Sequence, residues 1–413
     1  MKVTCVGGGP AGLYLSVLLK QQDPSHEITV YERNPAGSTY GWGVTYWASL
    51  LDVLHRGDPE TARQILEHSV RWSDGLAHLH GATVRHRGDE GFGIGRRRLL
   101  GILAGRAESL GVRLEFGQEA GTGEDAGEEL LDGADLLVAA DGVGSALRRP
   151  HEADFGSATV LGRNKYIWLG TTKVFDAFTF AFVESEHGWI WCYGYKFSEE
   201  QSTFVVECAP ETWSGLGLDR AGESEGLVLL EKLFAEPLDG HPLIGRAQPD
   251  DRAQWLNFRT LTNRTWHRGR LVLLGDAAHT THYSIGAGTT LALEDAVGLA
   301  GALRGATGRD QLTAAFTRYE RERRSALLPT QSAARHSARW YEDLPRYTRL
   351  PPEQMFALLG QRHSPLLPYL PPRLYYRLDH AVEQLESLRR AKRWLGPRVA
   401  RALHGGRARS GRG

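Results

Sequence analysis

A glycine-rich turn near the N-terminus constrains the fold more than any other feature of the chain. Residues 2–20 read KVTCVGGGPAGLYLSVLLK, a short β-branched apolar stretch followed by a glycine turn and then by apolar residues at helical spacing. Gly7, Gly9 and Gly12 fit the GxGxxG pattern, which permits a tight turn and lets the backbone approach a pyrophosphate at a helix N-terminus. The sequence therefore predicts a strand-turn-helix unit that binds a nucleotide.

A second strand strengthens this prediction. The stretch ITVYERN at 28–34 ends in Glu32, twenty residues beyond Gly12, where a carboxylate can accept hydrogen bonds from ribose hydroxyls. The pattern indicates a dinucleotide but does not distinguish FAD from NAD. The residues that we predict to contact it in this part of the chain are Gly7, Gly9, Pro10, Ala11, Gly12, Glu32 and Arg33.

Three later segments carry further nucleotide-site features. IGRRRLLGIL at 94–103 places Arg96 at the start of a predicted helix, although the helix dipole favours acidic residues there. ADLLVAADGVGSALR at 134–148 is an apolar run typical of a buried parallel strand, and Asp141 begins the polar turn after it. RLVLLGDAAH at 270–279 repeats this order and ends in Asp276-Ala-Ala-His, before the predicted helix TTLALEDAVGLAGAL.

Together, and in this order, the four motifs resemble the FAD-dependent aromatic hydroxylases related to para-hydroxybenzoate hydroxylase. The resemblance implies that Asp276 hydrogen-bonds the ribityl chain and that Arg96 reaches the FAD linker. It also implies that backbone amides of residues 286–290 face the flavin pyrimidine edge, where a helix N-terminus stabilises negative charge upon reduction. The FAD residues that it adds to the prediction are Arg96, Asp141, Asp276, Gly286, Gly288, Thr289 and Thr290.

The residues after GDAAH narrow the resemblance. The broad family pattern has a proline and an asparagine where this chain has Tyr283 and Thr290. The segment HYSIGAGT is similar instead to H-F/Y-S-I-G-x-G-T in salicylyl-CoA 5-hydroxylase, the anthraniloyl-CoA monooxygenases and the tryptophan hydroxylases of violacein synthesis. YERNPAGSTYGWGV at 31–44 and STFVVECAPETW at 202–213 look like the same group. This chain has Tyr193-Gly194-Tyr195 where this group has His-Ala-Tyr. The chain after about Pro345 matches the CoA-thioester hydroxylases poorly.

The order of elements predicts an α/β fold with a discontinuous Rossmann-like FAD-binding domain at 1–150 and 265–345. A substrate-binding domain with a mixed or antiparallel sheet is inserted at 151–264, and a helical C-terminal region with a basic tail follows at 346–413. The predicted substrate strands are KYIWLGTTKV, FTFAFVES, GWIWCYGYKF and STFVVECA, whose alternation favours one covered face and one face toward a ligand. A long helix with a kink at Pro329 is predicted from about Gln311, and its helical-face residues are Phe316, Tyr319, Leu327, Ala334 and Tyr341.

The resemblance implies a monooxygenase reaction. NADH or NADPH docks transiently and reduces FAD, O2 adds to the reduced flavin at C4a, and the hydroperoxide transfers OH to an electron-rich aromatic ring. The protein's tasks are to hold the ring, exclude water and polarise a ring substituent. We predict His282 and Tyr283 as catalytic residues, because a neutral imidazole can accept a proton from a phenol or aniline. The alternative for His282 is a structural role, which is also the role expected of His279.

Three aromatic residues are predicted to bind the substrate. Trp42, between two glycines, is either a core residue or a wall beside the isoalloxazine, and the glycines favour the wall. Tyr193 and Tyr195 lie on one predicted strand, where packing under the substrate is favoured over acid-base chemistry.

The predicted substrate is a small aromatic molecule, with an aryl-CoA thioester of the salicylyl-CoA or anthraniloyl-CoA type as first choice by resemblance. A tryptophan- or anthranilate-derived natural-product intermediate is the alternative. A flavin-dependent halogenase is a further alternative, since HGWIWCYGY contains half of the halogenase-like pattern GW-x-W-x-I-P. A reductase or oxidase without ring hydroxylation and a flavin-binding regulator also remain open. The basic tail, nine Lys or Arg between Arg389 and Arg412, is either a solvated end or a contact for the CoA 3′-phosphate.

Composition limits the partners. The chain has 49 Lys and Arg residues and 49 Asp and Glu residues. Its balanced charge gives no reason to expect nucleic acid or an anionic membrane as a partner. The three cysteines form no CxxC pair, and no charge-free run of 18 apolar residues occurs. We therefore expect a cytoplasmic protein without a metal, and a homodimer as its assembly.

Overall fold

The structure is a computed structural model that describes residues 1–39, 41–121, 123, 126–246, 253–306 and 308–384. Fifteen strands occur within these residues, and they form two sheets. In chain order they are β1 (Lys2–Val6), β2 (Glu27–Glu32), β3 (Gly43–Trp47), β4 (Val70–Leu79), β5 (Ala82–Gly95), β6 (Arg113–Phe116), β7 (Leu136–Ala139), β8 (Ala158–Thr171), β9 (Phe178–Ser185), β10 (Gly188–Lys196), β11 (Ser202–Cys208), β12 (Leu243–Ile244), β13 (Leu256–Thr262), β14 (His267–Arg268) and β15 (Leu271–Leu273).

Helices cover both sheets. In chain order they are α1 (Pro10–Gln22), α2 (Ala48–Gly57), α3 (Pro59–Glu67), α4 (Arg96–Ser109), α5 (Ala126–Asp132), α6 (Glu152–Phe155), α7 (Pro210–Gly215), α8 (Glu223–Leu233), α9 (Ala235–Leu238), α10 (Gly288–Leu303), α11 (Arg309–Glu342), α12 (Pro352–Gly360) and α13 (Pro372–Gln384). With the strands they give the mixed α/β architecture that the order of motifs predicts.

The first sheet carries the nucleotide motifs. Its strand order is β14-β15-β7-β1-β2-β6, and all neighbouring pairs are parallel except β14 with β15. All four residues of β7 are completely buried, as expected for a parallel strand covered on both faces. Because β1, β7 and β15 run in the same direction, the turns that follow them meet at one edge of the sheet. This arrangement brings the glycine turn, Asp141 and Asp276 together.

The second sheet has nine strands in the order β12-β8-β11-β10-β9-β4-β5-β3, with β13 paired to β8. It is antiparallel except where β4 pairs with β9. The predicted boundaries placed residues 43–95 in the FAD-binding part. In the structure, β3–β5 instead extend the substrate sheet, because the backbone of β4 pairs with β9 from Gly75–Phe178 to Leu79–Phe182.

The two faces of this sheet differ as the alternation along its strands predicts. One face is covered by helices α7–α9 and carries Ile190, Cys192 and Phe204, which pack against Phe234. The other, which we call the aromatic face, packs against the C-terminal end of α11, against α12 and against Tyr283. Its large aromatic residues are Tyr166, Trp168, Phe178, Phe180, Phe182, Trp191, Tyr193 and Tyr195.

Helix α11 confirms the predicted long helix. It is 34 residues long, starts two residues before Gln311 and continues through Pro329. The five residues predicted on one helical face, Phe316, Tyr319, Leu327, Ala334 and Tyr341, are all buried. The C-terminal end of α11 lies against the aromatic face, so this helix joins the FAD-binding part to the substrate sheet.

The structure bears on two of the predictions made from composition, those for the cysteines and for membrane-spanning helices. Cys5, Cys192 and Cys208 are buried free thiols. In the described part of the chain, none of the helices has the length and apolar character needed to cross a bilayer. The basic tail between Arg389 and Arg412 lies outside the described residues.

Candidate active site

A cleft opens at the edge of the first sheet where the nucleotide motifs meet. Its cavity volume is about 260 Å³, just below the range of roughly 300–1,000 Å³ found for ligand sites. Nine of the predicted FAD residues line this cleft, namely Gly7, Gly9, Pro10, Ala11, Glu32, Arg33, Arg96, Asp141 and Asp276. The structure therefore brings together residues that are up to about 270 positions apart in the chain.

The glycines of the turn have different roles. Gly7 has a φ of +112°, and a Cβ there would lie 2.3 Å from the carbonyl oxygen of Ala140, so the turn passes directly against the end of β7. A Cβ on Gly12 would lie 2.3 Å from the carbonyl oxygen of Gly7, which makes this glycine a packing residue. A Cβ on Gly9 would meet nothing within 4 Å, because it would point into the cleft. This open space at the start of α1 fits a pyrophosphate.

Glu32 closes the cleft at the end of β2. Its Oε2 accepts a hydrogen bond of 2.9 Å from the backbone N–H of Gly8, and its Oε1 accepts bonds from the backbone and the side chain of Asn34. Each carboxylate oxygen has a second lone pair, so Glu32 can still accept bonds from ribose hydroxyls. Asn34 also lines the cleft and was not predicted from the sequence.

Several polar atoms in the cleft fit a bound ligand because the protein itself does not satisfy them. The Nε of Arg96 and the Oδ1 of Asp141 are buried without a hydrogen-bond partner among the described residues. Buried polar atoms are normally paired, so these two point to a missing partner. Asp276 faces the cleft interior, and desolvation by the surrounding protein raises the pKa of its carboxyl group. The nearby Arg96 and His279 act in the opposite direction and favour the carboxylate.

Arg148 does not line the cleft but holds two of its turns together, a role that sequence reasoning missed. It is 3% exposed, and its guanidinium donates hydrogen bonds to the carbonyl oxygens of Ala277 at 3.0 Å and Val143 at 2.5 Å. It thereby ties the turn after β7 to the turn after β15. The signal was present as the last residue of DGVGSALR, since a buried arginine needs several acceptors.

The other five predicted FAD residues do not line the cleft. Gly12 is the packing residue described above, Gly288, Thr289 and Thr290 begin α10, and Gly286 ends the turn before it. Gly286 has a φ of +64°, and a Cβ there would lie 2.7 Å from Thr45 Oγ1 on β3. Helix α10 has no side-chain cap, so its first N–H groups point at no capping side chain. Ala292, one turn into α10, does line the cleft. The proposed role of residues 286–290 beside the flavin ring stays a prediction.

His279 lies in a buried polar cluster behind the cleft. Its Nε2 is 2.7 Å from Asp295 Oδ2, and Asp295 Oδ1 accepts a bond of 2.7 Å from Arg323 Nε. The indole of Trp266 stacks on the imidazole with ring centroids 5.0 Å apart. These contacts fit the structural role that we expect of His279.

His282 is held in the turn that precedes α10. Its Nδ1 lies 2.8 Å from Ser284 Oγ, and its ring contacts Phe258 at 4.9 Å between centroids. Burial, helped by the positive charge of Arg362, lowers the pKa of His282 to about 3. The imidazole is therefore neutral at physiological pH but too weak a base to retain a proton there. Its catalytic role stays a prediction.

Tyr283 contacts a residue that the sequence did not indicate as functional. Its hydroxyl donates a hydrogen bond of 2.5 Å to Oε2 of Glu207, and Asn164 donates one of 2.7 Å to Oε1. Glu207 is 1% exposed, and desolvation raises its pKa to about 7 although both hydrogen bonds lower it. The available signal was a single acidic residue in the otherwise apolar strand FVVEC.

The three predicted substrate residues surround the junction of the two sheets. Tyr193 is 8% exposed and stacks at 6.4 Å from Tyr283. Tyr195 donates a bond of 2.8 Å to the carbonyl oxygen of Gly43 and so holds the loop that carries Trp42. The carbonyl oxygen of Trp42 accepts a bond of 2.7 Å from the backbone N–H of Arg96, a cleft residue. The structure thus places Tyr193 and Tyr195 on the aromatic face and links the loop of Trp42 both to Tyr195 and to the cleft.

Comparison with known proteins agrees with the geometry of the cleft. The sequence profile described as FAD binding domain matches residues 1–328. The chain belongs to this FAD-binding family. FAD is accordingly the cofactor whose site these residues form, and the unpartnered atoms of Arg96 and Asp141 fit it.

Relatives of this FAD-binding protein are named as monooxygenases. Salicyloyl-CoA 5-hydroxylase of Streptomyces sp is 38% identical over 84% of this chain and 67% of its own length. The 3-hydroxy-4-methyl-anthranilyl-(aryl-carrier protein) 5-monooxygenase of Streptosporangium sibiricum is 35% identical over 84% of this chain and 90% of its own length. Protodeoxyviolaceinate monooxygenase of Chromobacterium violaceum is 32% identical over 93% of this chain and 100% of its own length. The chain is a flavoprotein monooxygenase of the aromatic hydroxylase type.

Solved structures support the fold of this FAD-binding protein. The tetrameric form of 2-methyl-3-hydroxypyridine-5-carboxylic acid oxygenase has a TM-score of 0.64 at 20% identity and covers 83% of this chain and 91% of its own. PqsL of P. aeruginosa in complex with 2-aminobenzoylacetate also has a TM-score of 0.64, at 18% identity over 87% of this chain and 99% of its own.

Proposed function

We propose that this flavoprotein hydroxylates an electron-rich aromatic ring, consuming NADH or NADPH and O2, and that its substrate is an aryl-CoA thioester of the salicylyl-CoA or anthraniloyl-CoA type. The observation that carries the proposal is the aromatic face of the second sheet, which is linked to the cleft through the loop of Trp42 and its hydrogen bond from Arg96. A large aromatic surface beside a flavin site suits a flat aromatic substrate.

The cleft residues hold the cofactor. The turn at Gly7–Gly9 and the start of α1 would bind the pyrophosphate, Glu32 would accept hydrogen bonds from the ribose hydroxyls, and Arg96 and Asp276 would contact the rest of the molecule. The N–H groups of residues 286–290, before and at the start of α10, would stabilise negative charge on the flavin ring. Bound FAD supplies the redox chemistry and the activation of O2.

The substrate sheet positions the ring and keeps water out. Tyr193, Tyr195 and Trp42 form an apolar wall, and Tyr195 and Thr203 hold the loop of Trp42 through the carbonyl oxygen of Gly43. His282 and Tyr283 stand at the end of this wall with ring centroids 4.4 Å apart and act on the polar substituent of the ring.

The names of two relatives support a carrier-bound aromatic acid, and one of these names specifies CoA. The names of the first two specify substrates attached to CoA or to an aryl-carrier protein, and both proteins are at least 35% identical to this chain. An aromatic acid linked through a thioester is therefore the substrate class that these relatives favour.

A second candidate substrate is a tryptophan- or anthranilate-derived intermediate of a natural-product pathway. It is supported by protodeoxyviolaceinate monooxygenase, which aligns over its whole length and over 93% of this chain. This alignment covers more of the chain than the 84% of the salicyloyl-CoA 5-hydroxylase.

Screening the purified holoprotein separates these candidates. Salicyloyl-CoA, anthraniloyl-CoA, tryptophan and the corresponding free acids are each mixed with the protein, O2 and NADH or NADPH, and oxidation of the reductant is followed. We expect an aryl-CoA to accelerate this oxidation by at least about tenfold, because binding of the correct substrate assembles the catalytic site by induced fit. A free amino acid that is faster than both thioesters would support the second candidate.

Labelled dioxygen identifies the reaction. A hydroxylase places one labelled oxygen atom in the product, whereas a reductase or an oxidase places none. Bromination of the product in excess bromide, with a flavin reductase present, would instead identify a halogenase. A protein that oxidises NADH and NADPH equally slowly with every compound would contradict the proposed function.

A further inference from the structure

Glu207 is a buried carboxylate that the roles described so far do not use. It is the one charged residue of β11, and both of its oxygens accept hydrogen bonds, from Tyr283 at 2.5 Å and from Asn164 at 2.7 Å. A buried carboxylate is costly unless it is paired with a cation and hydrogen-bonded, so a buried one without a cation calls for a functional explanation. Here the two hydrogen-bonding side chains are neutral.

The surroundings of Glu207 make it a base that titrates near neutrality. The titratable and charged groups around it are Tyr166 on β8, Tyr193 on β10, Tyr283 before α10, and Tyr341 and Glu342 at the end of α11, with Cys208 next to it on β11 pointing to the opposite face. Glu342 is a second carboxylate, and its charge raises the pKa of Glu207 further. The value of about 7 is set first by desolvation, and the hydrogen bonds of Tyr283 and Asn164 reduce the shift.

Tyr283 connects this base to the substrate wall. Its ring lies 4.4 Å from that of Tyr166 and 6.4 Å from that of Tyr193, both on the aromatic face, and 4.4 Å from that of His282. Glu207 lies on this same face, because it alternates along β11 with Val206 and Cys208 of the opposite face. The Tyr283 hydroxyl therefore meets the carboxylate at the aromatic face.

We propose that Tyr283 and Glu207 form a proton-transfer pair that accepts the proton of a phenolic hydroxyl on the bound substrate. The inference rests on the proposed function and adds the group to which the substrate loses its proton. Tyr283 is the residue that touches the substrate, and Glu207 is a positioning residue that acts through it.

The proton balance is simple. The substrate O–H bond breaks and its proton moves to Tyr283 Oη, while the Tyr283 O–H bond breaks and that proton moves to Glu207 Oε2. The substrate becomes a phenolate, Tyr283 is neutral before and after, and the carboxylate becomes a carboxylic acid. No electrons are exchanged in this step. A phenolate donates more electron density to its ring, which is what transfer of an oxygen atom to that ring requires.

This pair suits the task better than His282. A proton acceptor is most effective when its pKa is near the working pH, which holds for Glu207 and not for an imidazole whose pKa is lowered to about 3. The 2.5 Å contact also provides a continuous path from the substrate wall to the carboxylate.

The first test is the pH profile of turnover, measured with the compound of the screen that gives labelled product. In the wild type, kcat is expected to rise about 30-fold between pH 5.5 and 8.5, as Glu207 ionises around pH 7. Glu207→Gln keeps the size of the side chain but cannot accept the proton, so its kcat is expected to be low and flat over this range. KM is expected to change less than threefold.

Glu342→Gln is the matched control, because it removes a carboxylate near Glu207 that does not bond to Tyr283. Its kcat is expected to keep the rise with pH, with the midpoint shifted to lower pH because a repelling charge is gone. Tyr283→Phe interrupts the path and is expected to give the flat profile of Glu207→Gln. An unchanged rise in Glu207→Gln would overturn the proposed pair.

A second test is independent of turnover. The pKa of Glu207 is raised in the folded protein, so its contribution to stability is fully present below the unfolded value of about 4.5 and is lost as the pH rises to about 7. The urea midpoint of Glu207→Gln minus that of the wild type is expected to grow over this window and to be constant above it. A difference that is constant from pH 4 to pH 8 would overturn the proposal.

Failure of the proposed proton-transfer pair and failure of the proposed function give different results. A labelled product combined with an unaltered pH profile in Glu207→Gln contradicts the pair and leaves the proposed function intact. A wild-type protein that yields no labelled product with any compound contradicts the proposed function, and with it the role of the pair.

Discussion

Replacing Gly9 by valine is expected to leave a folded protein that no longer retains FAD. The backbone at Gly9 is extended, with φ −78° and ψ 178°, which valine adopts readily. A Cβ there would meet nothing within 4 Å of protein, so the substitution costs little in the apoprotein. The added methyl groups would instead occupy the part of the cleft where the backbone at the start of α1 receives the pyrophosphate.

The expected loss of FAD affinity is large. Hydrogen bonds to charged groups contribute about 1.5–3 kcal/mol each, and 1.4 kcal/mol corresponds to tenfold in Kd. Loss of two such bonds, about 3–6 kcal/mol, therefore raises the Kd for FAD by about 100-fold or more. Flavin absorbance of the purified protein and quenching of flavin fluorescence on titration measure this change.

Gly308→Val is the matched control. Gly308 precedes α11 as Gly9 precedes α1, has an extended backbone with φ −114° and ψ 162°, and also has nothing within 4 Å of a Cβ. It is not among the residues of the cleft. This variant is expected to bind FAD like the wild type. Equal FAD binding by Gly9→Val and Gly308→Val would refute the pyrophosphate site at Gly9.

Removing the carboxylate of Asp295 is expected to destabilise the fold strongly. Asp295 is completely buried and is the shared acceptor of His279 and Arg323. In Asp295→Ala the guanidinium of Arg323 stays largely buried and keeps only Glu294, 3.0 Å from its Nη2, as a carboxylate partner. Breaking a buried ion pair by removing one partner costs about 3–5 kcal/mol, because the remaining charge is uncompensated. The free energy of unfolding from urea titration measures the loss.

Glu60→Ala provides the contrast for this experiment. It also removes a carboxylate from an arginine, since Glu60 Oε1 is 2.6 Å from Arg63 Nη2, but both side chains are exposed. Solvent already screens such a pair, so little change in stability is expected. Similar stability of Asp295→Ala and Glu60→Ala would mean that the buried cluster behind His279 does not hold the cleft together.

The FAD-binding half was predictable because its features are local in the chain. The glycine turn, Asp141 and Asp276 each follow a short apolar strand, and parallel strands bring the turns after them to one edge of a sheet. The family match over residues 1–328 confirms FAD as the ligand. The helical spacing of Phe316 and Tyr319 likewise predicted the buried face of α11.

The substrate sheet was only partly predictable. Alternation along β8–β11 identified the strands, because side chains on a strand point to opposite faces. It did not show that β3–β5 extend the same sheet, since strand pairing is made by backbone hydrogen bonds that carry little sequence signal. The residues of β4 and β9 that pair are about 100 positions apart in the chain.

The sequence by itself determined the cofactor, the fold class and the family, because these depend on short motifs whose backbone geometry is set by neighbouring residues. Only the tertiary structure decided that Glu207 and Tyr283, 76 residues apart, lie in hydrogen-bond contact and that Glu207 titrates near neutrality. The physical reason is that desolvation depends on all the elements packed around a group, here β8, β10, the turn before α10 and the end of α11. The residues next to Glu207 in the chain do not specify this environment.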